Sequence, residues 1–402
     1  MTGFVDPDHP QETVYRPILR ARRGELDALR HLDAGWIPSV TPILVAQSTP
    51  RGPVQDAYDF FKAVGDRLPR GLRIGVDLAD LPDPDGGLSY PARDVAEYLA
   101  GWGIPMLPVL RVTDSARRLT AYGDAARMHD RRAILRLRPD EAPGPATATR
   151  ACDRVWRRTG LLPERCDLVI DLGALTHPGD LPGAEHTVRR VLGSAIGERW
   201  RSVTVAAGAM PPTLSHLPRN VATRLPRWEA ELWRRIRHLP VGFGDHGVTA
   251  PRPGGRDHPA RPLPTMRYTT RDAWWIYRWS RHAGGRPDDR FYDLCGRLTS
   301  APHWAGAALS WGDREIARRA RCTPGPGTPT SWIAWATSHH LAHVLSALTG
   351  AGSEPDADPT NAPPPGHSAG QPAGRSPARP SGRFRPPGGR FSPPLGQLDE
   401  PR

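Results

Sequence analysis

The chain is poor in cysteine, with four in 402 residues: Cys152, Cys166, Cys295 and Cys322. No two are spaced as CxxC, so neither a disulfide framework nor a dithiol motif is expected. They read as reduced, mostly buried residues of a cytoplasmic protein. Long hydrophobic runs are also missing. No stretch approaches the ~18 apolar residues that a membrane span requires. The opening MTGFVDPDHPQETVYRPILRARRG has no apolar segment behind a basic start, so no signal peptide is expected. Lysine is almost absent, with Lys62 the only one among 54 cationic residues. Neither GxxxxGK[ST] nor GxSxG occurs, which removes that class of nucleotide triphosphatase and leaves a serine nucleophile unsupported.

Proline and glycine are abundant, 47 and 41 residues, about 22% of the chain and near the range of low-complexity sequence. The apolar fraction is 38%. Part of the chain therefore lacks core formers, and the rest is denser than the average implies. The net charge of +12 favours anionic partners, a small molecule or nucleic acid. Against a nucleic-acid stripe, the arginines are interleaved with acids, as in ARRGELDALR (21–30), which is the pattern of solvated helix faces.

Eight short β-rich runs recur every 25 to 38 residues: YRPILR (15–20), VTPILVA (40–46), RIGVDL (73–78), MLPVLRV (106–112), AILRLR (133–138), DLVIDLG (167–173), SVTVAA (202–207) and PVGFG (240–244). Amphipathic helical stretches lie between them at 24–32, 54–68, 92–102, 116–128, 149–160, 185–197 and 221–237. Alternating strands and helices argue for a parallel sheet. Eight units with no Gly-rich phosphate loop after the first strand favour a closed eight-stranded (β/α) barrel over an open doubly wound sheet. The barrel is expected over residues 15–250, after a disordered 1–14. Residues 251–350 hold a Trp-rich extension expected to close over the barrel or cap one end. Residues 351–402 lack large aliphatics and are expected to be a disordered tail. Within it, RFRPPGGRF (383–391) offers a protein partner a proline-rich contact, against a plain solubilising role.

In such a barrel the working face is the C-terminal end of the strands. Those ends supply Arg20, Arg22, Arg111 and Arg136 as anion-binding candidates. They also supply Asp77, Asp171, Asp245 and His246 as weak catalytic candidates, the acids as bases or metal ligands. The turns at Gly208 and Gly244 end strands seven and eight, where barrels often bind phosphate through backbone N–H groups, although such glycines also serve ordinary turns. Arg–Asp pairs that merely neutralise one another are the competing reading, because a buried charge must be paired. Asp77 and Asp171, across the barrel from each other, make a poor metal cage without a third ligand. His339 and His343 are one helical turn apart but lack the Glu of the zincin motif, so pairing with a neighbour or packing on Trp335 is expected. Asp313 is the expected N-cap of the helix that follows Ser310-Trp311-Gly312. No metal and no cofactor is expected.

The order of several segments resembles the phage-type beta protein family. They are YRPILRARRGELDALRHL at the start, VIDLG (169–173), GAMP (208–211), RLPRWEAELW (224–233), GFGDHG (242–247), RYTTRDAW (267–274), SWGDREI (310–316) and WIAWATSHH (332–340). The resemblance covers residues 14–348. It implies a barrel-like α/β fold and a link to phages and mobile elements, and supplies no settled activity. Three positions depart from the family pattern. Arg20 and Arg22 stand where the family has lysine, which excludes lysine chemistry because arginine stays protonated. Val45 replaces a carboxylate at the end of the second strand and weakens a paired-carboxylate mechanism. His246 replaces the tyrosine of Gly-Asp-Tyr-Gly. The sequence thus leaves two readings open: a barrel that recognises an anionic ligand or partner in phage–host conflict, and a barrel enzyme acting on a phosphorylated or nucleotide-like substrate.

Overall fold

Each of the eight β-rich runs becomes a strand of one closed parallel barrel. The computed structural model describes residues 14–350, apart from 86–89, 142–143, 194–199, 252–262, 281–286 and 324. The barrel strands are β1 (Tyr15–Leu19), β2 (Ile43–Val45), β3 (Ile74–Asp77), β4 (Met106–Leu110), β5 (Ala133–Leu137), β6 (Cys166–Ala174), β7 (Ser202–Gly208) and β9 (Gly242–Asp245). They are hydrogen-bonded in that order, and β9 closes onto β1. The expected 1–14 and 351–402 ends lie outside the described residues, save Val14.

Helices α1 (Arg23–Arg30), α2 (Pro53–Gly65), α3 (Ala92–Gly101), α4 (Ala116–Arg127), α5 (Pro145–Thr159), α6 (Asp180–Leu192) and α7 (Trp228–Ile236) follow the strands. Alternation sends one set of side chains outward against these helices and the other inward. The inward set includes Ile18, Ile43, Val45, Leu107, Val109, Ile134, Val169 and Ala206, which form their own packed cluster. Val45 is therefore part of the barrel's apolar filling. Below that layer Arg16 is buried, donating from Nη1 to Thr204 Oγ1 at 2.6 Å and pairing with Asp167 at 3.2 Å.

The chain departs from the expected pattern at 221–237. Its first part is not helical. Residues Ala222–Pro226 form β8, which leaves the barrel and pairs antiparallel with β11 (Ala273–Arg278), itself paired with β10 (Thr265–Thr269). Pro226 would break a helix interior, and Val221 and Thr223 are β-branched, so only the stretch after Pro226 continues as α7.

The three-stranded sheet β10–β11–β8, with α8 (Pro287–Thr299) and α9 (Trp311–Ala320), builds a second core around Tyr268, Trp274, Ile276, Phe291 and Ile316. The chain then returns through α10 (Pro329–Thr349), which packs against α1 and β1. Its Leu341, Val344 and Leu345 join the barrel core, while Trp332 and Trp335 join the second core. So α10 lies along the wall between β9 and β1, in the place an eighth barrel helix would fill. The described part of the extension is thus built onto the barrel's side through α10. Met210 and Val248, from the loops after β7 and β9, reach into its core.

Candidate functional site

The C-terminal ends of β3, β4, β5, β6 and β9 bring five charged or ionisable side chains into one chain of contacts. Arg111 Nη2 donates to Asp77 Oδ2 at 2.7 Å, and Arg136 Nη1 donates to the same oxygen at 2.8 Å. Arg136 turns its other edge to Asp171, with Nε at 3.1 Å and Nη2 at 2.6 Å from Oδ2. His246 Nε2 lies 3.0 Å from Asp171 Oδ1. Arg111 Nη1 reaches Glu141 at 3.4 Å. All five are buried.

Local backbone geometry aims the acids. Asp77 Oδ1 accepts from Ala79 N at 3.0 Å, and Asp171 Oδ1 accepts from Gly173 N at 3.0 Å. Each carboxylate thus closes a turn two residues ahead, which fixes its direction as the strand ends. Gly173 sits at φ +69°, a conformation that glycine adopts at little cost.

Burial alone would raise the Asp77 carboxyl, but Arg111 and Arg136 outweigh it and hold it below the usual range. At Asp171 burial is likewise outweighed, by Arg136 and His246, and its carboxyl lies well below the usual range. Asp114 behaves differently. Burial pushes it up to about 7, and its hydrogen bond from Arg111 N, 2.7 Å, offsets this only in part.

The two guanidiniums carry ten N–H donors. Five are committed to Asp77, Asp171 and Glu141. Arg111 Nε is shielded from solvent and has no partner among the described residues. His246 has a free edge as well. A carboxylate only accepts, so the ring proton facing Asp171 sits on Nε2, and Nδ1 has no partner among the described residues.

The other expected residues divide. Arg20 stands near this cluster, with Nη2 donating to the carbonyls of Ala250 at 2.9 Å and Pro251 at 3.2 Å rather than to a carboxylate. Arg22 is exposed at the N-cap of α1 and not part of the network. Gly208 faces the site: a Cβ there would meet Pro251 Cγ at 2.8 Å and His246 Cβ at 3.1 Å. Gly244 lies deeper. A Cβ there would stand 2.8 Å from Arg16 O and 3.0 Å from Ala206 Cβ, so its lack of a side chain serves barrel packing. Asp245 does not join the rim. It faces outward, accepting from Tyr15 OH at 2.8 Å, with His340 Nε2 2.9 Å from its other oxygen. Asp80, which the sequence reading passed over, lies within electrostatic reach of Asp77, Arg111, Arg136 and Arg20. It stands three residues past Asp77, in a loop where strand alternation gives no signal.

Outside the barrel wall lies a second polar network, also unforeseen. His340 Nδ1 is 3.0 Å from Thr269 Oγ1, and Trp274 stacks on its ring at 5.0 Å. His339 Nδ1 is 3.0 Å from Asp313, and Nε2 is 2.8 Å from Thr269 O. His339 stacks on Tyr268 at 3.8 Å rather than on Trp335. Asp313 is not the N-cap of α9. Ser310 is, and Asp313 one turn in also accepts from Ser310 Oγ at 2.6 Å and Tyr268 OH at 3.1 Å. Among the described residues no group of three or more His, Cys, Asp or Glu is placed to hold a metal. No helix among them is long and apolar enough to cross a membrane.

GFGDHG, RYTTRDAW, SWGDREI and WIAWATSHH all place residues in this outer network, and VIDLG places Asp171 at the rim. The sequence model of the Beta protein family matches residues 15–346. The chain belongs to the Beta protein family. Its match spans both the barrel and the extension, so the outer network and the rim are parts of one family domain. No curated protein matches the chain in sequence. Among solved structures, triosephosphate isomerase from Bartonella henselae aligns with 59% of this chain and 94% of its own, at 12% identity and a TM-score of 0.32. A protein of Aquifex aeolicus VF5 aligns with 45% of this chain and 57% of its own, at 15% identity and a TM-score of 0.22.

Proposed function

We propose that this member of the Beta protein family is a barrel that binds a small anion, bearing a phosphate or carboxylate group, at its C-terminal mouth. The observation that carries this reading is the surplus of donors there. Arg111 and Arg136 carry ten N–H groups between them, of which the neighbouring acids accept five. Oxygens of a ligand would take those donors, with Arg20 at the edge of the site. The Asp77–Arg136–Asp171 bridge is the charge-balanced floor that keeps the guanidiniums in place. A small ligand fits better than a polyanion, because arginines on the outer helices are paired with acids one turn away, as in Arg93–Glu97, Arg189–Glu185 and Arg319–Glu315. The family's link to phages and mobile elements makes phage-infected cells the place to look for the ligand.

The test is mass spectrometry of small molecules that co-purify with the protein, followed by calorimetric titration of inorganic phosphate and citrate into wild type and Arg111→Met. Hydrogen bonds to charged groups contribute ~1.5–3 kcal/mol, so the variant should bind about tenfold more weakly or worse. Absence of any co-purified anion, together with identical titrations for both proteins, would refute the reading.

A second reading, an enzyme on a phosphorylated substrate, has one specific observation behind it. His246 is oriented by Asp171 with its Nδ1 unpartnered among the described residues, the arrangement of a carboxylate-held base. Conversion of a co-purified ligand by wild type and not by His246→Gln would favour it.

A further inference from the structure

β9 ends at Asp245, and the next residue, His246, faces the opposite way. Asp245 points out of the barrel to α10, and His246 points in to Asp171. The Asp245 carboxylate does more than meet α10. Its Oδ1 accepts from Tyr15 OH at 2.8 Å and also from Gly247 N at 2.9 Å. That second bond spans His246, so the carboxylate closes a turn with the imidazole at its centre. Gly247 holds the turn at φ +56°, and a Cβ there would lie 2.8 Å from Leu19 Cδ2.

We infer that His340 is a positioning residue for the mouth: it holds Asp245, whose carboxylate closes the turn around His246 and so aims that imidazole at Asp171. The contacts are continuous. His340 Nε2 lies 2.9 Å from Asp245 Oδ2 and 3.1 Å from Tyr15 OH. His340 is itself fixed by Thr269 and by the Trp274 ring. From Asp245 the path runs through the Gly247 turn to His246, then to Asp171, Arg136, Asp77 and Arg111. Asp245 is fully buried, so its direction depends on its partners. Burial works against the Asp245 carboxylate, yet His340 holds it down to about 2, which is the mark of a close interaction. The extension therefore does more than cover the barrel wall between β9 and β1. It sets the orientation of an imidazole on the far side of that wall.

His339 provides the control. It sits beside His340 on α10, but its partners are Asp313, Tyr268 and Thr269 O, none of which touches Asp245, and it meets Thr269 through the backbone carbonyl rather than the hydroxyl that His340 uses. The purpose of the coupling rests on the reading of the mouth as a ligand site, but the coupling itself is measured without a ligand. In protein labelled with ¹⁵N-histidine, the ring-nitrogen resonances of His246 are assigned by their loss in His246→Gln. Tyr15→Phe removes one hydroxyl from Asp245, His340→Gln changes the main partner, and Asp245→Asn weakens the acceptor. Each should displace both ring-nitrogen resonances of His246, with His340→Gln and Asp245→Asn larger than Tyr15→Phe. His339→Gln should leave them in place even where it lowers the melting temperature by as much. Unmoved His246 resonances in Tyr15→Phe and His340→Gln would overturn the inference, as would an equal displacement in His339→Gln. Tyr15→Phe is mild enough to keep the test decisive should His340→Gln fail to fold. Co-purification and the titrations of wild type and Arg111→Met decide the ligand reading separately, so either result stands without the other.

Discussion

Replacing Arg136 with Met tests whether the rim is a set of mutually dependent charges. Arg136 bridges Asp77 and Asp171 with three hydrogen bonds of 2.6–3.1 Å, and all three residues are buried. Methionine fills a similar space without charge. Among the described residues, its introduction leaves Asp77 with Arg111 and Ala79 N, but leaves Asp171 with only His246 and Gly173 N. Breaking a buried pair by removing one partner costs about 3–5 kcal/mol. Because Asp171 keeps two contacts, the lower end applies, about 3 kcal/mol. At about 2–4 °C per kcal/mol for a large domain, the melting temperature should fall by about 6–12 °C.

Asp171→Asn removes the other half of the pair and should cost about 2 kcal/mol, since Arg136 keeps Asp77. The double variant removes one charge of each sign and leaves Asp77 with Arg111. It should be more stable than the sum of the single changes predicts, by about 1–3 kcal/mol. Thermal melts of the four proteins at one pH and salt concentration close the cycle. Single effects below about 1 kcal/mol that simply add would refute the reasoning, because exposed pairs behave that way. The cycle also carries a pH signature. Asp77 and Asp171 have depressed carboxyl pKa values, so their contribution is present above the unfolded value near 3.9 and is lost as pH falls. The acid loss of stability should therefore be shallower in Asp171→Asn than in wild type.

Asp114 has the opposite sign: its folded pKa is raised to about 7, so its contribution is present below about 3.9 and is lost as pH rises through about 7. Asp114→Asn, which keeps an acceptor for Arg111 N, should therefore gain stability relative to wild type as pH rises from about 4 to about 7, and a constant difference across melts in that range would contradict this. Gly244→Ala should cost about 1–3 kcal/mol by overpacking against Arg16 O, with phosphate affinity unchanged if the variant is titrated below its melting temperature. Arg267, on β10, has a shielded Nε with no partner among the described residues, and burial lowers its guanidinium to about 10. Arg267→Met should hold or raise the melting temperature, and a drop of several degrees would show that the guanidinium has a partner after all.

The barrel was legible because its strands are short, evenly spaced and bounded by turn residues. The inward positions of Arg136 and Asp171 could be read as well, since AILRL and CDLVIDLGA alternate clearly about Ile134 and Val169. Asp245 could not be read in the same way. In GFGD the two glycines carry no side chain to mark a face, so alternation gives no parity, and only the pairing of Pro17 with Asp245 across β1 and β9 fixes which way the carboxylate points. β8 was hidden for a different reason. The amphipathic stretch of α7 extends backward into it at helical spacing, and the strand is specified by a partner about 50 residues later, Trp274 to Tyr277 on β11. Such pairings are set by tertiary context, which overrides local propensity. The outer network is the extreme case. Tyr15, Asp245, Thr269, Asp313 and His340 come from five elements, and each is an ordinary residue in its own segment. What marks them is that every one is buried and polar, and burial is a property of the assembled fold. A histidine pair on an apolar helix was visible in WIAWATSHH, and the physical rule that a buried polar group must find a partner already required acids or hydroxyls to meet it. The sequence contained too many candidate acids to say which. The choice of Asp245 and Asp313 follows once α10 is seen to return to the gap between β9 and β1, because that placement brings one histidine to the barrel wall and its neighbour to the extension.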